Sequence, residues 1–118
     1  MRIGICGTGD ISHEFMEAAN LIDAINVTGV YHRQQVKAEQ FAHKYEIKEA
    51  YDNYLNLVNS CEMVYVALPN SLHFEYAKTA ILQGVNVLIE KPICSNASEL
   101  KELIELSKVH QVKIFEVS

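Results

Sequence analysis

The sequence predicts an α/β protein, a doubly wound parallel sheet with strand order 3-2-1-4-5-6. Three observations carry that prediction. Short apolar runs alternate with amphipathic stretches along the whole chain, the pattern of parallel strands joined by crossover helices. The first apolar run, Ile3-Gly4-Ile5-Cys6, passes directly into Gly7-Thr8-Gly9-Asp10-Ile11-Ser12, a glycine turn that opens a helix. A later run, residues 63–68, is almost continuously apolar, as a strand covered on both faces should be.

The elements follow in order. Ile11, Phe15, Ala18, Ala19 and Ile22 repeat at helical spacing and predict a core-facing stripe on the first helix. Residues 25–31 read as the second strand. Ala38, Phe41, Ala42 and Tyr45 mark the second helix. A short third strand falls at 47–51, and residues 53–60 read as a short helix carrying Leu55 and Val58. After strand 63–68, Pro69-Asn70-Ser71 forms a turn in which Asn70 or Ser71 caps the next helix. That helix buries Ala77, Ala80 and Ile81 and stops at Gly84, placed as a C′ glycine. Residues 85–90 form the fifth strand, which Lys91-Pro92 ends because proline cannot donate to a ladder. Asn96 caps a helix with Glu99 three positions on, and Leu100, Leu103 and Ile104 form its stripe. Residues 112–117 are the sixth strand.

The glycine turn has the chemistry of a dinucleotide site. Gly7 permits the tight turn, and Gly9 lets a pyrophosphate approach the backbone. The free N–H groups and dipole of a helix start favour that anion. Ser12 stands where glycine or alanine is usual, but it is small enough for close helix–strand packing. The competing reading is a plain strand–helix turn. Ligands of such sheets bind beyond the carboxyl ends of the strands, and two more polar turns fall there, at 69–73 and at 90–92.

Composition narrows the classes. A chain of 118 residues suits one domain, here residues 1–118. Net charge is −5 and no Lys/Arg cluster is present, so a nucleic-acid partner is not expected. No apolar run reaches membrane length and no leader precedes the first strand, so a membrane is not expected and the cytoplasm is. Cys6, Cys61 and Cys94 are too few and too dispersed for a disulfide framework or a zinc site, and no metal site is expected. Cys6 reads as a small buried apolar group and Cys94 as a bystander thiol. His13, His32, His43 and His110 read as exposed surface residues.

Three places carry further chemistry. An acid normally ends the second strand and binds the adenosine ribose. Here Tyr31-His32-Arg33 occupies that place, without an acid and with a guanidinium suited to a 2′-phosphate or to the adenine face. This favours NADP over NAD, with Lys37 as a second, weaker phosphate contact; the lesser alternative is an Arg33 that only covers the helix start. Asn70 and His73 could hydrogen-bond a ribose or flank a nicotinamide, or else serve as a cap and a first-turn surface residue. Glu90 and Lys91 at a central strand end are costly unless paired with each other or functional. A lysine beside a nicotinamide could hydrogen-bond a substrate oxygen or move its proton.

GTGDIS, YHR, ALPNSLH and EKP, in this order and spacing, resemble the N-terminal domain of the Gfo/Idh/MocA oxidoreductases across essentially the whole chain. The resemblance implies NAD(P)-dependent hydride transfer on a sugar, cyclitol or related secondary alcohol. It implies that Gly7, Thr8, Gly9, Asp10, Ile11 and Ser12 line the pyrophosphate, and that His32 and Arg33 meet the adenosine end. Leu68, Pro69, Asn70 and His73 would flank the nicotinamide ribose. Glu90, Lys91 and Pro92 would sit by the nicotinamide, with Lys91 as the catalytic group. Family members continue into a second, substrate-binding domain after the sixth strand, so the resemblance implies a fragment that binds cofactor with little activity alone. Such a fragment should self-associate through the 112–117 edge. Two further readings stay open: a module that senses NAD(P)(H) without catalysis, and a fold of this type binding another nucleotide such as S-adenosylmethionine. The Glu-Lys-Pro turn argues against the last.

Overall fold

The computed structural model describes residues 1–117, and six parallel strands form a single sheet ordered β3-β2-β1-β4-β5-β6. The strands are β1 (Arg2–Cys6), β2 (Asn26–Tyr31), β3 (Glu49–Tyr51), β4 (Met63–Val66), β5 (Asn86–Glu90) and β6 (Ile114–Val117). The helices are α1 (Asp10–Ala19), α2 (Gln35–Tyr45), α3 (Tyr54–Val58), α4 (His73–Leu82) and α5 (Ala97–Val109). A 3₁₀ turn, Asn70–Leu72, leads into α4.

Alternation along the strands sends side chains to two cores. On one face Cys6, Val64, Val66, Val87 and Ile89 meet Leu57 and Val58 of α3, Ala77, Ala80 and Ile81 of α4, and Leu103 of α5. On the other, Ile5 and Val30 meet Met16 of α1 and Phe41 and Ala42 of α2. Full burial of each larger aliphatic side chain contributes about 1.5–3 kcal/mol. These two layers hold β1 and β4 side by side at the centre, and their carboxyl ends open where the chain reverses its direction of winding.

The predicted strand order, all six strands and all five helices are present. Gly84 ends α4 at φ 76°, and Asn96 accepts the Glu99 amide at 2.9 Å, as expected of a C′ glycine and an N-cap. Several expectations need correction. Ile11, Ala18 and Ile22 are exposed, and the buried stripe of α1 is Ser12, Met16 and Ala19. The helical period is the same, but its polar first member hides it from a count of apolar residues. Leu55 is exposed and Leu57 takes its place in the core, because α3 is a short helix approached from the Leu57 side by β1 and β2. Ile104 is exposed too, leaving Leu103 as the buried member of the α5 stripe. Neither Asn70 nor Ser71 caps a helix with its side chain, since the 3₁₀ turn carries the chain straight into α4. His13 is not a surface histidine: its Nδ1 lies 2.6 Å from the Tyr45 hydroxyl and its ring packs on Phe41. His32 and His110 are also half-buried, whereas His43 is exposed.

Candidate functional site

Gly7 leaves β1 at φ 112°, a conformation that side chains strongly disfavour, and its amide donates to the Tyr31 carbonyl at 3.0 Å. A β-carbon there would stand 2.6 Å from the Ala67 carbonyl oxygen. Gly7 therefore sits where the ends of β1, β2 and β4 converge. Gly9 is different: its φ is −82°, and a β-carbon would meet nothing within 4 Å. It is the N-cap of α1, and no side chain caps that helix start. Exposed amides and open space above a helix N-terminus fit a pyrophosphate. The Ser12 hydroxyl is buried and donates to the Gly7 carbonyl at 2.8 Å. Ser12 thus braces the glycine turn from behind, which explains the departure from glycine or alanine.

Three concavities surround this turn. One of about 410 Å³ is lined by Gly9, Asp10 and Ile11 from the α1 start and by Ala67, Leu68, Pro69 and Asn70 from the β4 turn. A second, about 440 Å³, is lined by Gly7, Tyr31, His32, Arg33, Leu68, Leu72 and Tyr76. Leu68 belongs to both, so they meet there. The third, about 350 Å³, lies between α1 and α2 and is lined by Thr8, His13, Lys37, Gln40, Phe41 and Lys44. The exposure of Ile11, wrong for a core residue, is that of a residue facing the first concavity.

The β2 end is cationic. Arg33 and Lys37 take part in none of the ion pairs among the described residues. Burial, then the charges of Lys37 and Arg33, hold the His32 imidazole below its usual range, and its Nδ1 accepts the Gln34 amide at 2.9 Å, a bond that only the unprotonated nitrogen can make. Tyr31 is pushed up to about 12 by burial and by the Tyr76 phenol, so it stays a neutral hydroxyl facing the second concavity. Tyr31, Leu72 and Tyr76 were not singled out from sequence. Tyr31 adjoins His32-Arg33 and was within reach, but Leu72 and Tyr76 line the wall only because the turn folds α4 back over it.

At the third turn Glu90 and Lys91 form no ion pair with each other, so of the two readings open for them the strand-end pair is not seen among the described residues. Lys91 is two-thirds exposed, and its Nζ lies 3.7 Å from the Glu116 carboxylate on β6. Glu90 instead accepts a long contact from the Tyr65 hydroxyl at 3.4 Å; burial and then that carboxylate push Tyr65 up to about 12. The strand-end position forces this, since adjacent residues point to opposite faces. His73 neither caps the surface nor lines a concavity. It is 2% exposed, with Nδ1 3.0 Å from the Pro92 carbonyl oxygen and Nε2 2.9 Å from that of Leu68. Among the residues assigned to the cofactor, Ser12 and His73 stand behind the turns, Glu90, Lys91 and Pro92 line none of these three concavities, and the others line one of them.

Burial raises the thiols of Cys6, Cys61 and Cys94, the state of inert rather than nucleophilic cysteines. Among the described residues no cluster of three or more His, Cys, Asp or Glu is placed to hold a metal.

Comparison with known proteins agrees with this geometry. The family model of the oxidoreductase family with an NAD-binding Rossmann fold, GFO_IDH_MocA, matches residues 1–117. The chain is 36% identical over 118 residues to scyllo-inositol 2-dehydrogenase (NADP(+)) IolU of Bacillus subtilis, covering 98% of this chain and 36% of that protein. It is 32% identical over 117 residues to trans-1,2-dihydrobenzene-1,2-diol dehydrogenase of Xenopus laevis, covering 96% and 36% respectively. The crystal structure of KijD10, a 3-ketoreductase from Actinomadura kijaniata, in complex with NADP superposes with a TM-score of 0.92 at 26% identity, over 98% of this chain and 38% of that one. The chain thus spans about a third of the length of the curated relatives it matches.

Proposed function

The chain belongs to the Gfo/Idh/MocA oxidoreductases and carries their NAD-binding Rossmann domain, and on that premise we propose that it binds NADP(H) for hydride transfer to or from a sugar, cyclitol or related secondary alcohol. The observation that carries this reading is the meeting at Leu68 of the concavity over the α1 start with the one beside Arg33. Together they offer a dinucleotide a pyrophosphate seat between two ends.

The chain's residues divide the work. Gly7 and Gly9 keep the backbone clear, and the α1 amides meet the pyrophosphate. Thr8, Arg33 and Lys37 receive the 2′-phosphate, where no carboxylate stands to repel it. Tyr31, Leu72 and Tyr76 wall the adenine. Leu68, Pro69 and Asn70 flank the other ribose. The chemistry such a cofactor brings is hydride exchange with carbon. Lys91, at the rim beyond β5, holds or moves the proton of the substrate oxygen, and Lys91→Ala lowers kcat about 10²–10⁴-fold wherever the domain works in a competent enzyme. The IolU relative named for inositol and NADP(+), and the ketoreductase seen with NADP, support the substrate and cofactor classes.

Two lesser parts of the reading follow. The three cysteines are free, which suits the reducing cytoplasm, and no described helix is long and apolar enough to cross a membrane. Among the described residues β6 is an edge of the sheet with Phe115 exposed, a surface through which copies associate; a strictly monomeric sedimentation profile at high concentration contradicts this.

The test of cofactor choice is a fluorescence titration with NADPH and NADH. NADPH binds more tightly, and Arg33→Ala removes about 1.5–3 kcal/mol of charge-assisted bonding, so NADPH affinity falls about 10- to 100-fold and NADH affinity far less. Equal or tighter binding of NADH defeats the assignment.

A further inference from the structure

The concavity between α1 and α2 is lined by two cations, Lys37 and Lys44, and by no carboxylate, in a chain whose net charge is −5. The two lysines stand about two turns apart on one side of α2. Glu39 and His43, on another side of the helix, line a separate concavity with Lys48 and Ala50. Among the described residues, neither Lys37 nor Lys44 takes part in an ion pair, and neither do Asp10, Glu14 and Glu17 of α1. The floor of this cleft is built. His13 Nδ1 lies 2.6 Å from the Tyr45 hydroxyl, which joins α1 to α2. The rings of His13, Phe41 and Tyr45 pack together at centroid distances of 4.8, 4.9 and 5.4 Å. The Lys44 ammonium lies over the Tyr45 ring, 5.4 Å from its centroid. Lys44 therefore rests on a ring that the α1–α2 contact fixes, with no anion of the chain to satisfy it. Thr8 of the glycine turn lines the same cleft, so an anion held at that turn has a way in.

We propose that this cleft seats the 2′-phosphate of NADP and that Lys44, sharing it with Thr8 and Lys37, is a specificity-determining residue for that cofactor. The assignment rests on the dinucleotide reading of the crevice. NADH carries only a hydroxyl at the same ribose carbon, so charge in the cleft separates the two cofactors where shape does not. Arg33 lines the neighbouring concavity and meets the phosphate from the adenine side. Selectivity is thus shared between a guanidinium after β2 and an ammonium late in α2, eleven positions further along the chain.

The test is a pair of fluorescence titrations, with NADPH and with NADH, of the full chain and of two charge-removing variants. Lys44 is exposed, and Lys44→Gln removes its charge while keeping most of the stem, so the fold is retained. Lys48→Gln removes the same charge from a nearby lysine that lines the other concavity. Lys44→Gln weakens NADPH by about three- to tenfold and NADH by less than about twofold, whereas Lys48→Gln leaves both as in the native chain. Native NADPH affinity in Lys44→Gln, or an equal loss for both cofactors, overturns the role of Lys44. An equal NADPH loss in Lys48→Gln overturns it too, because the effect is then that of net charge rather than of contact. A native chain that does not bind NADPH, or binds NADH as tightly, overturns the cofactor reading itself and this assignment with it.

Discussion

Alanine at Gly7 and alanine at Gly9 separate folding from cofactor binding, although both glycines belong to one turn. At Gly7 the backbone holds φ 112°, and strain of this kind costs of order 1–3 kcal/mol for a residue with a side chain. The new methyl would also stand 2.6 Å from the Ala67 carbonyl oxygen. That oxygen is not free to retreat, because the Ala67 amide is bonded to the Cys6 carbonyl at 2.9 Å beside the central strand pair. The two effects together bring Gly7→Ala to about 3 kcal/mol or more, a large share of the ~5–15 kcal/mol that holds a typical domain. In a chain of this size the thermal midpoint falls by roughly 10 °C or more. At Gly9 the backbone is extended and the methyl meets no atom within 4 Å. Restricting the unfolded chain stabilises by about 0.4–1 kcal/mol, and a poorer N-cap costs a similar amount, so Gly9→Ala leaves stability nearly unchanged. The methyl does fill the space above the α1 amides, and NADPH affinity falls more than about tenfold, or ~1.4 kcal/mol. Circular dichroism melts and a fluorescence titration measure the pair. A Gly7→Ala chain that melts with the native one refutes the packing argument; a Gly9→Ala chain that binds NADPH normally refutes the pyrophosphate seat.

Two further outcomes follow from the site. Ser12→Ala leaves the buried Gly7 carbonyl without its hydroxyl partner and lowers stability by about 1–2 kcal/mol in urea unfolding, while Ser12→Gly or a native-like Ser12→Ala melt tests whether the hydroxyl rather than size matters. His32 titrates below the ordinary histidine range in the free chain, so folding is disfavoured as pH falls through its unfolded value, where the unfolded chain takes the proton first. A bound 2′-phosphate offsets Lys37 and Arg33, so proton NMR shows the His32 midpoint rising with NADPH and moving little with NADH; no difference between the two cofactors counts against a phosphate at this end.

Elements governed by short-range pattern were legible from sequence. The β1–glycine–α1 unit, the apolar run of β4, Gly84 as a helix stop and Asn96 as a cap each depend on residues within one turn of themselves. The misreadings share a cause as well. Ile11 and Leu55 have core chemistry but no covering layer, whereas Ser12 and His73 have surface chemistry and are covered from several elements. Pattern reports what a residue is able to bury, and the packing of distant segments decides whether it does.

The sequence by itself determined the strand order, the place of the dinucleotide turn and the cationic end at Arg33, since periodicity, glycine and charge are local properties of the chain. Only the tertiary structure decided that Ser12 and His73 work from behind the crevice, that Lys91 faces Glu116 rather than Glu90, and that Tyr31, Leu72 and Tyr76 wall one end. Each of those depends on contacts between residues far apart in the chain, where the cost of an unpartnered buried polar group, not a local preference, selects the neighbour.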